Sequence, residues 1–194
     1  MGRKPRIVLD GSYYHVVQRG NDRRKIFLES HDYDYFYSLL RKYLKRYHSF
    51  LYHYCLMSNH FHMLMKVTKA EDMSKLMQGV DLSYTLYYKR KYEFIGLLWQ
   101  GRYKSIVIER DDYLMDCGRY IERNPVRAGI VTDPTNYEFS SSKFYFSGKE
   151  SSIITEDILY ESLGRDKHER QTRYRDYVLE ERAYDKILDR YFKL

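Results

Sequence analysis

Four residues carry the chemical potential of this chain. His60 and His62 flank Phe61 at the start of an apolar run, and Tyr120 and Asn124 stand about sixty residues downstream, four apart. Residues 51–67, LYHYCLMSNHFHMLMKV, read as two short strands joined at Ser58-Asn59. Side chains alternate along a strand, so His60 and His62 share one face and Phe61, Met63, Met65 and Val67 the other. Two aligned neutral imidazoles can chelate a metal ion. They serve equally as a hydrogen-bonded pair at a strand end, and the stretch by itself leaves both readings open. On a helix, Tyr120 and Asn124 lie on one face. Joined, the four suggest a site in which His60, His62 and the Asn124 carboxamide hold a divalent cation. The mixed nitrogen and oxygen set suits Mn²⁺ or Mg²⁺ better than zinc. The cation would neutralise charge on a scissile phosphate while Tyr120 attacks it. A phenol has an ordinary pKa near ~10, so Arg119 or Arg123 would help to favour the phenolate.

The elements around these residues must bring them together. Tyr13–Arg19, YYHVVQR, is a strand pattern that Gly20-Asn21-Asp22 ends. Arg23, Arg24 and Lys25 follow, a place for a phosphate or a solvated loop. Ser30 is a candidate N-cap for a helix over 31–48, with Phe36, Leu40, Tyr43 and Tyr47 as its stripe. A helix over 72–92 presents Met73, Leu76, Met77, Val80, Tyr84 and Tyr87, a stripe that reads as core. Its basic end, Lys89-Arg90-Lys91, suits the helix dipole. Gly96–Gly101 breaks the pattern before a short strand over Ser105–Glu109. The order β-α-β-β-α-β predicts an α+β fold of the ferredoxin-like, split βαβ kind: four antiparallel strands with two helices on one face. His60 and His62 then lie on the other face. A third helix, Asp111–Asn124, should stop at Pro125. Its stripe is Leu114, Cys117, Gly118 and Ile121, with Gly118 allowing close approach to the sheet. Lying across the free face, it would carry Tyr120 and Asn124 toward the histidines. Residues 132–155 show little pattern. Ile158, Leu159 and Leu163 suggest a short helix, and Tyr174, Val178 and Leu179 another that continues toward Ile187, Leu188 and Tyr191.

The chain has 194 residues, enough for one domain, or one with an appendage, to bury a core. Of 34 Lys and Arg and 27 Asp and Glu, nine and ten fall within 151–194, so the positive surplus belongs to the first 150 residues. That surplus points to a polyanionic partner, or else to a merely solvated basic surface. The 23 tyrosines could in part stack on unpaired bases, although many recur at helical spacing and must be core. No apolar run is long enough to span a bilayer, and the basic N-terminus lacks the apolar stretch of a secretory signal. Cys55 and Cys117 form no disulfide framework and suit a reducing cytosol.

Three stretches, YYHVVQRGNDRRKIF (13–27), LMSNHFHMLM (56–65) and WQGRYKSIVIERDDYLMDCGRYIERNPVRAGIV (99–131), together resemble the REP-associated tyrosine transposases. These are relatives of the insertion-sequence-200 type within the HUH single-tyrosine nucleases. The resemblance covers most of residues 11–131, in order. It implies that His60 and His62 are the metal pair and that Tyr120, four before the Asn-Pro of NPVRAG, is the nucleophile. It also implies cleavage of single-stranded DNA near a hairpin, REP-like or at a transposon end, through a 5′-phosphotyrosine link and a free 3′-OH. Related enzymes often carry Gln where this chain has Asn124. The expected catalytic domain is 1–131, with 132–194 a C-terminal extension. Basic residues expected to meet DNA are Arg19, Arg23, Arg24, Lys25, Arg102, Lys104, Arg119, Arg123 and Arg127. The protein is expected in the cytoplasm with the nucleoid, as monomer or homodimer, with no membrane partner.

Two rivals stand beside this reading. A structural zinc site could draw on His53, Cys55, His60 and His62, although such sites favour more thiolates. A non-catalytic RRM-like nucleic-acid-binding module would use the same fold, but has no need of His60, His62, Tyr120 and Asn124 together. A histidine-triad hydrolase would want a further histidine where Leu64 stands.

Overall fold

The computed structural model describes residues 8–109, 111–180 and 184–192. Strand β1 is Tyr13–Arg19, helix α1 Ser30–Arg46, β2 Phe50–Met57, β3 His60–Lys66, α2 Ala70–Tyr92, β4 Lys104–Ile108 and α3 Asp111–Arg127. The four strands form one antiparallel sheet in the order β2-β3-β1-β4. The element order and the mixed α and β architecture are those read from the sequence.

The sheet separates two cores. On one face, Val16, Phe61, Met63 and Met65 pack beneath α1 and α2, against Phe36, Leu40, Leu76 and Val80. Burying each such side chain contributes on the order of 1.5–3 kcal/mol. Tyrosines fill much of the buried interior, and several bind backbone carbonyls through their hydroxyls. Tyr84 donates to Ile26 O at 2.6 Å and Tyr145 to Tyr52 O at 2.9 Å. On the other face, α3 lays Leu114, Cys117, Tyr120 and Ile121 against Val17, Cys55 and Leu64. A bulge in β2 between Leu51 and His53 shifts the register. It brings His53 onto the α3 side with Cys55. Gly118 makes that contact possible, because a Cβ there would stand 2.8 Å from His53 Nε2.

Local details depart from the sequence expectations, each for a physical reason. Glu29 rather than Ser30 precedes α1, and the Asp32 carboxylate reaches back to accept from Leu28 N and Glu29 N. Helix α3 does not stop at Pro125 but runs to Arg127. Proline lacks the N–H that would bond Ile121 O. The Asn124 side chain supplies a substitute, with Nδ2 donating to Tyr120 O at 2.9 Å and Ile121 O at 3.3 Å. Residues 132–155 hold a short helix, α4, Ser142–Ser147. The tail continues with α5 Ile158–Glu161, α6 Lys167–Leu179 and α7 Tyr184–Phe192. Helices α6 and α7 are separate, since Glu180 leaves α6 in an extended conformation. Tyr145, Tyr160, Tyr174 and Val178 close a third cluster on Met115 of α3. No helix among the described residues is long and apolar enough to cross a membrane.

Candidate active site

Strand β3 and helix α3 bring His60, His62 and Tyr120 together within one chain, and Asn124 stands one turn further along α3. The His60 and His62 rings are 5.1 Å apart, and the His62 ring is 5.7 Å from that of Tyr120. His62 and Tyr120 are fully buried, and Asn124 is 8% exposed. Burial, with the charge of Arg19, lowers His60 to about 4; burial, with neighbouring charges, holds His62 well below the ordinary range. Both rings are therefore neutral at pH 7, the form that can donate a lone pair to a cation.

Hydrogen bonding marks which nitrogens are free. His60 Nδ1 bonds Asn59 Oδ1 at 2.6 Å. His62 Nδ1 bonds His15 Nε2 at 2.9 Å, and His62 Nε2 is buried with no hydrogen-bond partner. A buried nitrogen left unpaired costs about 1–3 kcal/mol, and a bound cation would relieve it. The Asn124 amide nitrogen is spent on the α3 backbone, so its carboxamide oxygen is the end left for a ligand. The donor set fits a divalent cation of the Mn²⁺ or Mg²⁺ kind. His15 is the buried neighbour of His62 that strand pattern alone did not single out. Its signal was its place in YYHVVQR, on the same face as Tyr13 and Val17.

Helix α7 closes the site. Phe192 lies edge-on to His15, ring centroids 4.6 Å apart, and to His62 at 6.2 Å. Lys104 Nζ fixes Phe192 by donating to its carbonyl at 2.6 Å. Tyr120 donates its hydroxyl proton to Asp189 Oδ1 at 3.0 Å. Burial and then the Asp189 charge hold the Tyr120 phenol above its ordinary value, while Arg127 pulls the other way. The Arg127 guanidinium lies 4.8 Å from the Tyr120 ring centroid and pairs with Asp189. The cation beside the Tyr120 phenol is therefore Arg127, one turn beyond the arginines expected there.

The basic residues divide into two groups. Arg119 is fully buried, paired with Asp185 and Asp116, and Arg123 donates to the carbonyls of Val178, Leu179 and Glu180. These two hold the end of α6 and the start of α7; neither is presented to solvent. Arg23, Arg24, Lys25, Arg102 and Lys104 are exposed, and Arg19 is half-buried with Nε on Gln100 Oε1 at 2.7 Å. Arg19, Arg102 and Lys104 line a cavity of about 150 Å³ that Phe192 closes.

His53 does not join the other histidines. Its Nδ1 is 2.9 Å from Glu122 Oε1 and its Nε2 3.5 Å from Asp157 Oδ2. Burial opposes its charge, but hydrogen bonds and charges of Asp157 and Glu122 outweigh it and raise the imidazole to about 9. Cys55 is buried with its sulfur 3.6 Å from Met57 Sδ. The four residues thus do not form one cage, and no group of three or more His, Cys, Asp or Glu among the described residues could hold a metal.

Comparison with known proteins bears on the fold and the lineage. The sequence profile of the IS200-like transposases matches residues 9–124, which span β1 to the Asn124 turn of α3. No curated protein sequence matches. A solved REP-associated tyrosine transposase bound to a REP hairpin superposes with a TM-score of 0.64 at 17% identity, covering 81% of this chain and 93% of that one. A Deinococcus radiodurans R1 protein described as a transposase covers 66% of this chain and 92% of its own at 15% identity, but its TM-score of 0.43 is too low to bear on the site. The structural likeness speaks for the fold, and the profile for the lineage: this chain belongs to the IS200-like transposase family.

Proposed function

We propose that this protein cleaves and rejoins single-stranded DNA beside a hairpin, through a covalent link to Tyr120. The observation that carries the reading is the Tyr120 ring set 5.7 Å from a buried, neutral His62 whose Nε2 has no partner. Family membership supports it, as does the hairpin held by the REP-associated neighbour. In the proposed step the Tyr120 oxygen attacks the phosphorus, the Oη–P bond forms and the P–O3′ bond breaks. The phenol proton is lost and the departing oxygen takes one up as the 3′-OH. The phosphotyrosine ester keeps the bond energy for the joining step. A divalent cation, Mn²⁺ or Mg²⁺, held by His60, His62 and Asn124 would bind a phosphate oxygen and offset the charge that develops there.

The chain's own residues do the rest. The Asp189 carboxylate accepts a hydrogen bond from the Tyr120 hydroxyl in the closed site, so in this reading a strand enters only when α7 withdraws. Withdrawal also removes the carboxylate that opposes ionisation and leaves Arg127 over the phenol ring. Arg19, Arg102 and Lys104 would meet phosphates at the mouth, with Arg23, Arg24 and Lys25 beyond. A cavity of about 500 Å³ between α2 and Trp99–Tyr103 shares Gln18 and Arg102 with that mouth and offers room for flanking nucleotides. Residues 1–131 would carry the chemistry and 132–194 brace it, with Arg119 and Arg123 as the fastening. Access to DNA would require the protein to lie in the cytoplasm with the nucleoid.

The test is a covalent adduct on denaturing gels with hairpin-bearing single strands and Mn²⁺ or Mg²⁺. Wild type should form it; Tyr120→Phe and His60→Ala should form none, while His60→Ala keeps hairpin affinity. An adduct with Tyr120→Phe would refute the nucleophile. Hairpin binding by wild type with no adduct would favour the non-catalytic module.

A further inference from the structure

We infer that His15 is the positioning residue that makes His62 a metal ligand, by accepting the proton of His62 Nδ1. The inference rests on the metal reading above and concerns a residue that reading does not use. His15 is fully buried on β1, beside β3, where Val17 pairs with His62 and His15 with Leu64. That diagonal places His15 Nε2 2.9 Å from His62 Nδ1.

A neutral imidazole carries one N–H and one lone pair. With Nδ1 engaged, His62 can meet a cation only through Nε2, the nitrogen left without a partner. If His62 donates to His15, Nε2 is a bare lone pair. If His15 donates instead, His62 must carry its proton on Nε2 and is closed to any cation. The polarity of this one hydrogen bond therefore decides whether His62 can bind. His60 shows the same device, since Asn59 Oδ1 can only accept and so fixes the proton on His60 Nδ1. Metal-bound histidines commonly have their second nitrogen held in this way. A neutral acceptor suits the place: His15 lies among Val17, Tyr120 and Phe192, where a carboxylate would be expensive to desolvate.

The experiment titrates Mn²⁺ into wild type, His15→Gln and His15→Leu, with hairpin affinity as a measure of intact folding. Gln retains an acceptor oxygen and should bind within about threefold of wild type; Leu should bind about 10–100-fold more weakly. Leu binding as tightly as wild type, or Gln losing as much as Leu, overturns the inference. Should Leu fail to fold, nitrogen NMR of the unmutated, metal-free protein decides. A proton on His62 Nδ1 supports the inference, and one on Nε2 overturns it. A wild type that takes up no Mn²⁺ removes the metal site itself, an outcome distinct from a failure of the variants alone.

Discussion

His53 and His62 stand on neighbouring strands, face the same helix and are both fully buried. Their surroundings push them in opposite directions, His53 toward its charged form and His62 toward its neutral one. The difference lies in their neighbours. His53 sits between two carboxylates, Glu122 and Asp157, that hold its proton. His62 faces His15, Tyr120 and Phe192, none of which offers a negative charge. The first histidine ties β2 to α3 and to the tail; the second has a buried ring nitrogen without a hydrogen-bond partner. Burial alone thus does not make a ligand. A buried histidine without a counter-charge, with one nitrogen engaged and the other unpaired, is the better candidate.

That contrast can be broken by experiment. Glu122→Gln leaves a buried charge with half of its compensation, and should destabilise the fold by about 3–5 kcal/mol in urea unfolding. Mn²⁺ affinity of the folded fraction should stay unchanged; a loss equal to that of His60→Ala would mean that the two clusters are one.

Acidity gives the next effect. His53 rises from 6.5 to about 9 on folding, so its contribution is fully present below pH 6.5 and is lost as pH climbs through 9. Linkage makes this on the order of 3 kcal/mol. Unfolding midpoints at pH 6.5 and 9.5 measure it, and equal midpoints would show that His53 folds uncharged.

Gly118→Ala presses a methyl into the His53 ring. Overpacking of this kind costs about 1–3 kcal/mol; a neutral substitution would show that α3 has slack over β2.

The smallest effect belongs to the other cluster. Asp189→Asn weakens the Asp189 contacts to Tyr120 and Arg127. It should raise the rate of adduct formation about three- to tenfold, ~1 kcal/mol. A fall would instead make Asp189 the base that takes the phenol proton.

Much of the site was legible in the residues themselves. The period of two in HFHMLM sorted histidines from core, and the period of 3.6 put Tyr120 and Asn124 on one face. Gly118 was recognisable as a point of close approach, though the partner it admits, His53, depends on a bulge that no pattern announced. Pro125 misled for a local reason, since the neighbouring Asn124 repairs the break. The fates of Arg119, Arg123 and Arg127 were not readable, because their partners Asp185, Glu180 and Asp189 are more than fifty residues away in the chain.

The sequence by itself determined the strands, the helices, their order and the family, because these depend on short-range periodicity and on contiguous motifs. Only the tertiary structure decided which buried histidine pairs with carboxylates and which does not, which arginine faces the Tyr120 ring, and that α7 lies over it. Those outcomes depend on contacts between distant segments, where burial and neighbouring charges together set the charge state.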